Sequence, residues 1–202
     1  GRRGLLDHGW SLALGDPLRV LMVSVGEQVD TEGLQAALSR YAEVFPVALM
    51  RRMRAKLGLA SEQAGDGELV DDLLRLLAAN RVDYTIAFRR LCRWADERDA
   101  VRDLFLDRAS FDAWAGRYDA RLAAEGSVAI EREARMLRTN PKIVLRNHLA
   151  EQAIRQAEAG DPGEVQRLLG LLQSPYDEHP GHEAYAGFPP DWAQTLSVSC
   201  SS

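Results

Sequence analysis

Apolar residues recur along most of this chain every three or four positions, and almost nowhere every second one. Asp16-Pro17, followed by Leu18, Leu21, Met22 and Val25, predicts a short helix that ends near Gly26. Thr31 opens a longer stripe through Leu34, Leu38, Tyr41, Phe45, Leu49, Met53 and Leu57, with Gly58 as its stop. Pro46 lies inside that stripe, where a missing N–H and a crowded preceding turn predict a kink or a break. Residues 60–67 read as a loop. Further helices are expected over 68–79, from an Asp83 cap through Leu91, from a Ser110 cap over 111–124, and from Ser127 to Leu137. Asn140 and Pro141 spell the cap and first turn of a helix reaching to about Ala159, with Gly160 just beyond. Asp161-Pro162-Gly163-Glu164 has capping-box spacing and starts residues 165–172. Pro175, Pro180, Gly181, Gly187, Pro189 and Pro190 make residues 174–190 a surface loop, and one turn is expected from Trp192 to Leu196.

The fold class is therefore all-α, an irregular bundle of about eight helices with a loop-rich C-terminal tail. The expected organisation is an irregular start at 1–29, a helical domain at 30–173, and a loop and tail at 174–202. A 46% hydrophobic share supports a core, and 27% charged residues are ordinary for a soluble protein. The balance of 25 basic to 30 acidic residues, net −5, argues against a nucleic-acid partner or an anionic membrane surface. No apolar run reaches the roughly 18 residues of a membrane span. Residue 1 is Gly rather than Met, which reads as a processed form or a piece of a longer chain. Two cysteines make no disulfide framework, and a reducing, cytoplasmic setting is the expected one.

Candidate chemistry is sparse. Cys200, third from the end on a run of small polar residues, is a thiol accessible to an oxidant or a partner cysteine. Cys92 follows Leu91 on an apolar stripe and reads as a packed structural cysteine. A bridge between the two needs Cα atoms within about 7 Å, and so a tail that folds back. His179 and His182, beside Asp177, Glu178 and Glu183, repeat no known ligand spacing and read as a solvated loop, so no metal is expected in this chain. His8 and His148 have no visible catalytic partner. The basic run Arg51-Arg52-Met53-Arg54-Ala55-Lys56 reads as a solvated face, or as a contact for an acidic protein surface, before it reads as a phosphate site. No glycine-rich phosphate loop, zinc-protease helix or Ser-His-acid order occurs, so the chain has no self-contained catalytic set.

Several phrases of this chain, taken in order, resemble the C-terminal region of the selenoprotein O family, known in bacteria as YdiU. They are Met53-Arg54-Ala55-Lys56-Leu57-Gly58-Leu59, Asp83-Tyr84-Thr85, Phe88-Arg89-Arg90-Leu91, and Phe111-Asp112-Ala113-Trp114 with Arg117-Tyr118 and Arg121-Leu122. Asn140-Pro141, Val144-Leu145-Arg146-Asn147 with Leu149-Ala150, and Pro175-Tyr176-Asp177-Glu178 follow. Pro189-Pro190-Asp191-Trp192-Ala193 and Val198-Ser199-Cys200-Ser201-Ser202 close the match, which begins near Thr31. Residues 1 to about 29 match the family poorly.

The resemblance implies a kinase-like fold whose C-terminal helical part is this chain. Members are protein adenylyltransferases, which transfer AMP from ATP to hydroxyl side chains of proteins with Mg or Mn. Their catalytic and metal-binding residues map onto no position here, so the chain alone is expected to be inactive and to hold no cofactor. The Cys-Ser-Ser ending carries over, which makes Cys200 the expected redox or regulatory thiol. In some members this cysteine pairs with one in the kinase-like part; in vertebrate members the terminal segment holds selenocysteine. Asn140, Pro141, Arg146, Asn147, Pro190, Asp191 and Trp192 are the structural motif positions. Arg146 and Asn147 are expected to tie neighbouring helices, and Trp192 to anchor the loop. Expected partners are the upstream kinase-like lobe and the protein substrates of the whole enzyme; an exposed apolar face could also pair two copies. A free-standing helical interaction module and a thiol redox protein acting through Cys200 are the other readings.

Overall fold

A computed structural model describes residues 31–196, so the expectations placed on the helix at 16–26, His8 and Cys200 lie outside the described residues. These residues form eight α-helices and two 3-10 turns, with no strand among them. The helices are α1 (Thr31–Lys56), α2 (Asp66–Ala79), α3 (Tyr84–Leu91), α4 (Arg98–Arg102), α5 (Arg108–Ala124), α6 (Ala129–Leu137), α7 (Asn147–Glu158) and α8 (Gly163–Gln173). The 3-10 turns span Glu183–Ala186 and Asp191–Thr195. The chain divides into two compact units, Gly1–Ala48 and Leu49–Ser202. In the first, Tyr41 and Phe45 stack one turn apart with centroids 5.1 Å from each other.

α1 runs through Pro46 without the expected break. Proline removes one hydrogen bond and crowds one turn, and here the remaining bonds of a 26-residue helix outweigh that loss. The end of α1 follows the sequence signal. Gly58 N–H donates to Ala55 O (3.1 Å) and Leu59 N–H to Arg54 O (2.9 Å), the paired bonds of a Schellman stop, with Gly58 at φ +71°. Gly58 is also where α6 comes in. A Cβ there would sit 2.5 Å from Cγ of Arg132 and 2.7 Å from Sδ of Met136. Backbone handedness and close packing therefore demand the same residue.

The core of the second unit gathers α2, α3, α5 and the end of α1 around an aromatic cluster. Phe111, Trp114 and Tyr118 lie on one face of α5, and all three are fully buried. Trp114 stacks on Tyr118 at 5.2 Å, and Phe105 on Phe111 at 4.4 Å. Each polar handle in the cluster finds an acceptor. Trp114 Nε1 donates to Leu69 O (2.9 Å), Tyr118 Oη to Leu57 O (2.6 Å) and Trp94 Nε1 to Asp119 Oδ1 (2.7 Å). Large rings can thus be buried without orphaned donors.

Several helix starts differ from expectation because a nearer acceptor wins. Asp107, not Ser110, caps α5: its Oδ1 accepts the Ser110 N–H at 3.0 Å. α6 starts at Ala129, and the Ser127 hydroxyl instead accepts from Arg132 Nη1 at 3.1 Å. At α8 Asp161 accepts the Gly163 N–H (2.9 Å), but Glu164 turns to the Tyr185 hydroxyl (2.7 Å), so the reciprocal bond of a capping box is not made. That contact seats the 183–186 turn on a small second cluster of Leu149, Ala153 and Leu168. The charged 96–99 stretch runs into the short α4, which begins at Arg98.

The 60–66 loop is fastened by a buried ion network. Arg121 on α5 bonds Asp66 (2.7 Å), Glu125 (2.9 Å) and Ser61 O (2.8 Å). Glu125 in turn accepts the N–H groups of Ala60 (3.2 Å) and Ser61 (3.3 Å). Burial pulls the Asp66 carboxyl up, but the bonds from Arg121 and the Gln63 N–H more than offset it and hold it below the usual range. Glu125 is lowered in the same way, against burial, by Arg121 and the loop amides.

Replacing Gly58 with Ala is expected to destabilise the chain by about 2–4 kcal/mol, the sum of a left-handed Cβ and an overpacked contact, read from the urea midpoint. The depressed carboxyls stabilise the fold above about pH 4. That contribution should fade as pH falls through their lower folded-state values. Asp66→Asn is expected to lose about 2–3 kcal/mol at pH 7 and to show a flatter stability–pH curve below about pH 4, followed by denaturation at stepped pH.

Candidate functional site

Asn140 is the organising residue of the described site. It is completely buried, and it does not cap a helix. α7 begins only at Asn147, with Arg146 before it in extended conformation (φ −92°, ψ 149°). The expected start at Asn140-Pro141 fails because the groups it would need are taken. The Lys142 and Ile143 N–H groups donate to Pro175 O at 2.8 and 3.1 Å, and the Asn140 side chain is spent elsewhere.

Its Oδ1 accepts from Lys56 Nζ at 2.9 Å, and its Nδ2 donates to Lys56 O at 2.9 Å and to Cys92 Sγ at 3.6 Å. Its N–H donates to Met136 O (2.8 Å) and its carbonyl accepts from Arg89 Nη1 (2.9 Å). Every polar group of this asparagine is thereby satisfied without water. Lys56, expected on a solvated face, instead lies over the rings of Phe88 (4.8 Å) and Tyr84 (5.2 Å). Desolvation lowers its pKa, opposed by the neighbouring Cys92. Burial pushes the Cys92 thiol up, so it stays a packed thiol rather than a reactive thiolate.

Arg89 extends this centre outward. Nη1 also reaches Leu137 O (3.1 Å), while Nη2 bonds Tyr176 O (3.1 Å) and Glu178 Oε1 (2.6 Å). Lys142 Nζ takes the other oxygen of Glu178 at 2.8 Å. Lys142 and Arg89, against some desolvation, hold the Glu178 carboxyl below its usual range. Beside this centre, Arg146 makes a two-pronged bond to Asp83 (2.5 and 3.0 Å), and Asp83 caps α3 by accepting the Ile86 N–H (2.9 Å). Burial raises the Asp83 carboxyl; Arg146 and the cap amide bring it below the usual range.

The other motif positions are less engaged. Pro141 is half-buried, and Asn147 is exposed and makes no side-chain hydrogen bond among the described residues. Pro190 and Asp191 start the last 3-10 turn. Trp192 is 40% exposed, and its ring stands nearly perpendicular to that of His148, with centroids 6.2 Å apart. His148 is buried, and burial, then Arg146, lowers its pKa. His179 binds Ser174 O through Nε2 at 2.7 Å. No group of three or more His, Cys, Asp or Glu side chains is placed to hold a metal among the described residues, so no chemistry here is routed through one.

Chemically, this arrangement is a clasp. It holds the 140–143 segment and the 174–178 turn against the ends of α1 and α3, and it offers neither a nucleophile nor a phosphate cradle. Lys56, Arg89, Lys142 and Glu178 escaped prediction as a group because they lie far apart in the chain. The one signal was that Lys56, Arg89, Asn140, Arg146 and Glu178 all belong to phrases of the resemblance.

The described residues define an all-helical fold in which a polar clasp ties distant segments together. Comparison with known proteins gives its family. Residues 11–173 match the family described as protein adenylyltransferase SelO, and the chain belongs to that family. It is 54% identical over 175 residues to the protein nucleotidyltransferase YdiU of Paraburkholderia xenovorans, covering 85% of this chain and 34% of that protein. The same-named proteins of Burkholderia thailandensis and Burkholderia orbicola are 53% and 55% identical over 176 and 172 residues, covering 85% and 83% of this chain and 34% and 33% of those proteins. The chain therefore spans about a third of the length of the curated relatives it matches.

Asn140→Ala would strand the Lys56 ammonium and Cys92 in the interior. We expect a loss of about 2–3 kcal/mol in urea unfolding, with Cys92 becoming reactive toward a thiol reagent under native conditions.

Proposed function

We propose that this chain is the C-terminal helical portion of a bacterial cytoplasmic protein adenylyltransferase. In this reading, residues 30–173 brace a kinase-like lobe and residues 174–202 form a positioned loop and tail. The whole enzyme joins a protein hydroxyl oxygen to the α-phosphorus of ATP and releases pyrophosphate, with Mg or Mn as the expected metal. The described residues supply no ligand set for that metal, so the nucleotide and metal site is assigned to the part of the family length that this chain does not span.

The observation that carries the reading is the clasp itself. Three separate stretches bearing the family resemblance meet at Asn140, and Arg89 and Lys142 carry the contact on to a fourth, the turn that leads into the tail. A module built to hold a C-terminal segment in place is what a regulatory thiol at Cys200 would need. Asn140, Arg146 and Asp83 then act as positioning residues, and Pro190, Asp191 and Trp192 as the last ordered turn before the thiol.

With radiolabelled ATP and Mg or Mn, the family-length protein is expected to label proteins or itself, and the 202-residue chain is not. Cys200→Ser in the family-length protein should remove any redox dependence of that labelling. Labelling by this chain alone, or redox dependence that survives the substitution, would contradict the assignment.

A further inference from the structure

The basic run at the end of α1 is only partly absorbed by the clasp. Arg54 pairs with Glu62 at 2.8 Å, and Lys56 is drawn inward to Asn140. Arg51 and Arg52 stay exposed, with no hydrogen bond or ion pair among the described residues. They lie four and three positions before Ala55 and so flank its face of the helix. Ala55 lines a cleft of about 470 Å³ together with Gly58, Leu59 and Ala60 on one side and Arg135, Arg138 and Thr139 of α6 and its end on the other. Arg138 is exposed and unpaired among the described residues, and Arg135 donates only to Gly58 O, at 3.2 Å.

Most described arginines have a carboxylate; these four do not. The carboxylates tied to this region are committed, Glu62 to Arg54 and Glu125 to Arg121. The cleft is therefore a concentration of uncompensated positive charge on a chain of net −5. The negative end of the α6 dipole favours one cation locally, but it does not account for the further exposed pair Arg51 and Arg52 within a turn of Ala55.

We infer that this cleft docks an extended, carboxylate-rich segment of another protein. Its apolar lining of Ala55 and Leu59 suits the aliphatic stems of acidic side chains, and the charges are spread, with Arg135 and Arg138 in the lining and Arg51 and Arg52 within a turn of Ala55, rather than focused on one point. A phosphate cradle would need free backbone N–H groups. Those of Gly58 and Leu59 are spent on α1 carbonyls and that of Ala60 on Glu125.

The test is fluorescence anisotropy of a labelled dodecapeptide of alternating Glu and Ala, titrated with the 202-residue chain. Saturable binding is expected at about 50 mM salt, weakening several-fold by about 300 mM. Arg51→Ala with Arg138→Ala should weaken it about five- to ten-fold. Arg75→Ala with Arg155→Ala, which removes two charges elsewhere, should leave it unchanged. The proposal fails if no saturable binding is seen, or if both double variants weaken it equally. It also fails if inorganic phosphate displaces the peptide at matched charge, or if the family-length protein does not bind it because its own chain covers the cleft.

Discussion

A buried amide that satisfies five partners at once constrains everything around it. Asn140 can be fully enclosed only if Lys56, Cys92, Arg89 and Met136 each stand where its donors and acceptors point. The reverse also holds. Lys56 can leave water only because an amide oxygen and two aromatic faces receive it. Removing one partner from such a network costs more than the bond it made, because the groups left behind are cut off from solvent. The end of α1, the end of α3, the end of α6 and the 174–178 turn are fixed relative to one another by this requirement.

The Arg121 network plays a parallel part from α5, fastening the 60–66 loop by ion pairs and loop amides. In the aromatic core, Trp114 and Tyr118 pass their N–H and O–H groups to backbone carbonyls. The chain thus solves one problem three times: how to cover loops with few regular bonds of their own. Each solution uses long side chains from helices, which suits a part whose role is to hold segments in place. The chain belongs to the SelO family and spans about a third of the length of its curated relatives.

Much of this was legible in the sequence. Helical periodicity identified the fold class, the Gly58 stop, the Asp83 cap and the buried face of α5, because each depends on residues within a turn or two of one another. It also marked Cys92 as a packed thiol. The errors share a cause. Asn140 and Pro141 are well spelled for a helix start, and Lys56 for a solvated face, when only sequence neighbours are considered. The winning partners of Asn140 include a lysine 84 positions away, and those of Lys142 and Ile143 a carbonyl in the 174–178 turn.

By itself the sequence determined the local rules: where helices run, where glycine is obligatory, which faces are apolar, and which family the phrases spell. Only the tertiary structure decided which polar side chains would be buried and with whom. A hydrogen bond depends on position to a fraction of an ångström, and no periodicity encodes a meeting between residues that the chain brings together from far apart.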